Sequence, residues 1–145
     1  MQSKGLLLIS VMVLTLGCSK DNASTGPTIA IKSYTSSVNN DGNGFSAELS
    51  FSQSGGNISG DSLYILEHRY NQSYANPDHN DIFPTQLPLT PSASKANFTA
   101  HLAWDFIQYG NQGENDTVDF SFILVDQNSK HSDTVTTGKV IIYQF

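Results

Sequence analysis

The chain has 145 residues, with 7 Lys+Arg against 13 Asp+Glu and a formal net charge of −6. A length of this order holds one domain with a sizeable core. The acidic balance, with no basic patch and no basic–aromatic alternation, excludes long-range capture of nucleic acid or another phosphate-rich partner.

The N-terminus is polar with one positive charge, Lys4, and is followed by an apolar run from Leu6 to Leu16 broken only by Ser10 and Thr15. A helix that crosses a bilayer needs about 20 residues, so this shorter run reads as an export signal over residues 1–17. Its removal leaves the chain one charge more negative, because the segment carries Lys4 and no acid. Cys18 follows Gly17 and is the single cysteine of the chain. A thiol with no partner is disfavoured in an oxidising compartment. "LTLGC" (14–18) resembles the lipobox of bacterial lipoproteins, in the relaxed form of Bacteroidetes-type bacteria; Gly17 and Cys18 match, whereas Thr15 and Leu16 stand as if exchanged. The resemblance implies a thioether-linked diacylglycerol on Cys18, which becomes the first residue after cleavage. The partner is then the membrane, held through two acyl chains, enough for stable anchoring. Ser19, Lys20 and Asp21 in "SKDN" resemble the Lys-plus-acid signal that sends such lipoproteins to the outer face of the outer membrane; an ordinary hydrophilic tether accounts for the same residues. "ASTGPT" (23–28) has linker composition. The expected organisation is a signal at 1–17, a lipidated cysteine and tether at 18–27, and a domain at 28–145.

The domain reads as strands. "TIAIKSY" (28–34) is short and β-branched, and "NNDGNG" (39–44) is a turn cluster. In "FSAELSFS" (45–52), Phe45, Ala47, Leu49 and Phe51 alternate with Ser46, Glu48, Ser50 and Ser52. Period two places one apolar and one wet face on a strand of an antiparallel sheet. "SLYILEHRY" (62–70) is apolar on both faces over its first half and reads as central. An edge strand is expected near 82–89, within a long segment holding Pro77, Pro84, Pro88 and Pro91, since proline suits edges and loops. "ANFTAHLAW" (96–104) alternates through Phe98, Ala100, Leu102 and Trp104, and a short turn follows at 105–109. "TVDFSFILV" (117–125) alternates through Val118, Phe120, Phe122 and Leu124, with Ile123 and Val125 on the other side. "TGKVIIYQF" (137–145) closes the chain, preceded by "DTVTT" (133–137). No stretch sustains a helical period. Short strands separated by Gly, Asn, Asp and Ser turns predict an all-β, antiparallel β-sandwich. The run "VDFSFILVDQNSKHSDTVTTGKVII" resembles the final hairpin of immunoglobulin-like or fibronectin type III-like modules, and the resemblance implies about seven strands. The absence of an intersheet cysteine pair separates the chain from antibody domains.

Candidate chemistry is sparse. Asp78, His79 and Asp81 in "NPDHNDIF" (76–83) are cation-ligand types, but they lack the regular oxygen spacing of a calcium loop and the third or fourth ligand of a zinc site. No metal and no cofactor is expected. No G-x-S-x-G or H-E-x-x-H occurs, and acids such as Asp116 and Asp119 sit at a turn and a strand edge, so no catalytic residue is assigned. Tyr70, Tyr74, Trp104 and Tyr109 could stack on sugar rings; Trp104 fits better as a core residue in line with Phe98 and Leu102, leaving Tyr74 as the contact candidate. Asp61-Ser62-Leu63, Asp116-Thr117-Val118 and Asp133-Thr134-Val135 share a D-[ST]-apolar pattern. It resembles the O-glycosylation signal of exported Bacteroidetes proteins, with Ser62, Thr117 and Thr134 as acceptors; a turn that ends on Asp and starts a strand on Ser or Thr accounts for each site as well. The expected function is an outer-membrane-anchored surface lipoprotein serving as a binding or envelope-scaffold module for a glycan or protein partner. The alternatives are a glycan-binding accessory protein of polysaccharide uptake and a hydrolase domain with an unrecognised site.

Overall fold

The computed structural model describes residues 26–54, 57–71, 82–87, 94–108 and 113–144. Among them the chain is all-β apart from one helical turn. The strands are β1 (Thr28–Tyr34), β2 (Ser37–Val38), β3 (Phe45–Ser52), β4 (Ser62–Arg69), β5 (Ile82–Gln86), β6 (Lys95–Leu102), β7 (Asp116–Val125), β8 (Val135–Thr136) and β9 (Val140–Ile142), with α1 at Trp104–Ile107. They form a small sheet in the order β1-β3-β6 and a larger one in the order β2-β9-β7-β4-β5, with β8 paired to β7. All pairings are antiparallel except β2 with β9. No helix among the described residues is long and apolar enough to cross a membrane.

Strand alternation builds the core. Phe45, Ala47, Leu49 and Phe51 of β3 are buried, and so are Val118, Phe120, Phe122 and Leu124 of β7. The two sheets meet through these faces: the Phe45 and Phe120 rings stack with centroids 4.1 Å apart. Burying a large apolar side chain stabilises the fold by about 1.5–3 kcal/mol, so the two phenylalanines form a substantial part of the contact. Gly44 lets β3 begin beside the end of β6. Its φ is +65°, and a Cβ there would lie 2.2 Å from the Leu102 carbonyl oxygen, so a side chain has neither a relaxed backbone nor space.

Among the described residues nine strands appear where about seven were expected, because two runs are broken. Near its N-terminus the chain leaves the small sheet after Thr35, whose N–H and hydroxyl both engage Ser46, and joins the larger one as β2. The final run is interrupted too. Val125 bridges His131, Phe122 pairs with Val135, and Val118 pairs with Val140. The register therefore slips by one residue twice along β7. Next to each slip a hydroxyl stands in for a backbone acceptor. Ser132 donates its N–H to the Leu124 carbonyl while its Oγ accepts the Leu124 N–H at 2.9 Å, and Thr137 treats Phe120 in the same way at 3.1 Å. These are β-bulges, in which the extra residue is accommodated without orphaning the partner strand.

One expected placement is corrected. Trp104 is buried, but not as the last core position of its strand. β6 ends at Leu102, and the Phe106 and Ile107 amides donate to the Ala103 carbonyl, turning the chain into α1. Trp104 and Ile107 close the core from that turn.

Candidate functional site

The outer face of the larger sheet carries the most chemistry. Because β4 and β7 pair in register from Ser62–Val125 to Arg69–Val118, their outward side chains form rows. At one end Tyr70 adjoins Thr117, and Ile141 lies across from Thr117. The next row holds His68 and Asp119, then come Leu66 and Ser121 with Thr136, then Tyr64 and Ile123.

The Tyr70 end is a polar cluster. Tyr70 is 42% exposed and donates its hydroxyl to Asp119 Oδ2 at 2.7 Å. His68 Nδ1 lies 3.5 Å from the same oxygen, and the two rings meet edge to face at 4.8 Å. Lys139 Nζ sits 4.3 Å from the Tyr70 ring centroid, a cation–π contact. The hydrogen bond to Asp119, reinforced by partial desolvation and by the Asp119 charge, holds the phenol pKa above its ordinary value. Tyr70 is therefore a hydrogen-bond donor and not a phenolate base or nucleophile.

The other end is apolar. Tyr64, Leu66, Ile123 and Val125 are half-buried and, with His131, line a hollow of about 180 Å³. A larger depression of about 560 Å³ lies on the small sheet among Thr28, Ser50, Ser52, Lys95 and Asn97. It is framed by short polar side chains and offers one charged group, Lys95, so it has little means of selecting a ligand.

Beneath the Tyr70 end lies an ion cluster on the inward face. Arg69 donates to Asp116 Oδ2 at 2.8 Å and lies 3.0 Å from Glu67 Oε1, with a further bond to the Ile107 carbonyl. All three side chains are at least nine-tenths buried. Asp116 Oδ1 also accepts the amides of Asn71 and Thr117. A buried charge survives only when it is paired; Arg69 pairs with both acids, although its contact with Glu67 Oε1 is an ion pair and not a hydrogen bond, and the trio ties α1 to the sheet. Period two could have found two of the three, since Glu67 and Arg69 share the face of Leu63 and Ile65; Asp116 is too distant in sequence for any local signal.

The sequence-derived candidates fare unevenly. Ser62 and Thr117 are half-buried on the outer face of the larger sheet, and Thr134 is exposed on the same face, next to Val135. The acids before the first two are buried, so in these cases the pattern follows the strand: acid inward, hydroxyl outward, apolar inward. Tyr70 and Trp104 do not share a platform, since one is exposed just past the end of β4 and the other is in the core. Cys18, Ser19, Lys20, Asp21, Tyr74, Asp78, His79, Asp81 and Tyr109 lie outside the described residues. Among the described residues no group of three or more His, Cys, Asp or Glu side chains is placed to hold a metal. Compared with protein-family models, curated proteins and solved structures, the chain matches none.

Proposed function

We propose that the protein is a lipid-anchored surface lipoprotein of the Bacteroidetes type, built on one immunoglobulin-like sandwich, that binds a protein partner through the outer face of its larger sheet. One feature supports the module and another the anchor. The β1-β3-β6 and β9-β7-β4-β5 orders correspond to the A-B-E and G-F-C-C′ sheets of such domains. The apolar run that stops at the lone Cys18 supports the anchor.

The observation that carries the binding role is the hollow between Tyr64, Leu66, Ile123 and Val125. Small-molecule pockets occupy about 300–1,000 Å³, and this one, about 180 Å³, suits a single apolar side chain. An anchor residue of a partner protein seated in a small apolar pocket, with polar groups around it, is the anatomy of an interface. His68, Tyr70, Asp119 and Lys139 supply polar groups on one side of it, toward the other end of the same face.

Two experiments test the parts separately. A fatty-acid probe labels the wild type in its host, and Cys18→Ala abolishes the label; label that survives the substitution refutes the anchor. Cross-linking on the cell surface then compares Ile123→Lys with Glu48→Lys, which sits on the outer face of the small sheet. Loss of a specific protein adduct in the first variant alone supports the binding face, and equal adducts in both refute it. Glycosylation at Thr134 and docking at Ile123 compete for one surface, and the intact mass of the native protein separates them.

A further inference from the structure

At the end of the molecule opposite the Arg69 cluster, the residues flanking three strands are all oxygen-bearing. Gln53 comes just after β3, Asp126 just after β7, and Asp61 just before β4. The β4–β7 ladder ends at the Ser62–Val125 pair, and the next residue of each strand, Asp61 and Asp126, lies close enough for the Asp126 charge to act on Asp61. Like charges facing each other across a ladder repel. Asp61 is 1% exposed and Asp126 7%, so water does little to screen them.

The two acids are satisfied very differently. Asp126 Oδ1 accepts the backbone amides of Asn128 and Lys130, and its Oδ2 accepts from Gln53 Nε2 at 3.3 Å. Neither oxygen of Asp61 has a hydrogen-bond partner or a salt bridge, and Gln53 Oε1, buried beside Asp126, has none either. The Gln127 amide lies near Asp61 and favours its charged form without closing a bond of good geometry. The Arg69 cluster shows how this chain buries acids elsewhere, with a cation between them. Here, among the described residues, no salt bridge fills that role.

We propose that Asp61, Asp126 and Gln53 form a calcium-type cation site that clamps the β3 end to the β4–β7 end of the sheets. The donor set is all oxygen: two carboxylates from adjacent strands of one sheet and an amide oxygen from the other, with water and main-chain carbonyls to complete the shell. Hard divalent cations take such ligands, and calcium tolerates irregular shells of 6–8 oxygens. A thiol- or imidazole-seeking metal finds nothing here. The cation would neutralise the facing carboxylates and occupy the orphaned lone pairs of both sheets at once.

The test is thermal unfolding of the full chain in detergent, in EDTA, in 10 mM CaCl₂, and in NaCl at the same ionic strength. Modules outside the cell bind calcium at about 10⁻⁴–10⁻³ M, so the wild type should melt about 4 °C or more higher in CaCl₂ than in NaCl. Asp61→Asn should lose this rise and melt no lower than the wild type in EDTA, because it removes the repulsion along with the site. Gln53→Met, which keeps the bulk and loses the oxygen, should shift the calcium midpoint several-fold upward. Asp133→Asn, at an exposed acid nearby in sequence, should respond like the wild type. An equal rise in NaCl, no rise at all, or a rise that persists in Asp61→Asn overturns the proposal. A wild type indifferent to calcium but stabilised by acid would show that the two carboxylates share a proton instead.

Discussion

Phe120 and Asp61 mark the two kinds of buried residue in this protein. Phe120 is fully buried and stacked on Phe45 from the facing sheet. Phe120→Ala should cost about 3–5 kcal/mol, from lost transfer energy and the cavity left between the sheets. That is a large part of the stability of a small domain, about 5–15 kcal/mol. Urea denaturation measures it, and a loss below about 1 kcal/mol, the scale of a surface substitution, would place the ring outside the core. Asp61 is held by geometry and not by preference. Desolvation, and after it the Asp126 charge, raise its pKa above the ordinary value of 3.8, with the Gln127 amide opposing. The folded state thus binds the proton more tightly than the unfolded chain. The stabilisation from protonating Asp61 is complete below 3.8 and is lost as pH rises through the raised folded value. In EDTA, lowering the pH from neutral toward 3.8 should therefore favour the wild type relative to Asp61→Asn. Parallel pH profiles for the two proteins would contradict this assignment.

At the scale of elements, the final run of the chain is the most instructive. Residues 131–142 follow β7 along its length but cannot keep one register. Ser132 and Thr137 hold the two slips by offering a hydroxyl where a carbonyl would otherwise accept. Both are buried. Thr137→Val keeps the shape and leaves the Phe120 amide without its acceptor, which should cost about 1–3 kcal/mol. Thr136→Val, one position away and exposed, loses only a surface contact with the Ser121 hydroxyl at 2.8 Å, so its cost should stay within about 0.5 kcal/mol. Comparable losses in chemical denaturation would show that the hydroxyl at Thr137 is not what carries the bulge. The Arg69 trio works on another element in a similar way. It joins β4, β7 and α1 through charge-assisted bonds, where an apolar residue could not satisfy the Ile107 carbonyl.

Across the whole molecule, the packed portion already includes Gly26 and Pro27. Pro27 is buried, and Gly26 lies so close to the His131 carbonyl that a Cβ would sit 2.8 Å from its oxygen. A chain starting at Gly26 should give a β-type circular dichroism spectrum and one cooperative melt. A chain starting at Thr28 should fold but melt several degrees lower, since a loss of 1 kcal/mol shifts the midpoint of a small domain by about 4–8 °C. Equal melts would place the start of the core after Pro27. An unfolded spectrum for the Gly26 chain would refute a domain independent of its N-terminal segment.

Local periodicity was enough to read β3, β6 and β7 from the sequence, because a strand with one buried face writes its orientation into every second residue. Phe45, Ala47, Leu49 and Phe51 could hardly be buried by any other element. The same rule read Ile123 and Val125 as apolar on the opposite side, the feature on which the binding face rests. Periodicity did not reveal that β6 stops at Leu102, because Trp104 stays apolar and buried whether it continues a strand or opens a helical turn. It set "DTVTT" before "TGKVIIYQF", where β8 and β9 lie, but did not show the register slip between them, since a slip is set by the partner strand and by a side-chain hydroxyl, neither of which alters the local pattern. The pairing of Asp61 with Asp126, of Arg69 with Asp116, and of Tyr70 with Asp119 was decided by tertiary structure alone. In each pair the residues stand more than forty positions apart, and only the antiparallel meeting of β4 and β7 brings their charges or hydroxyls within reach.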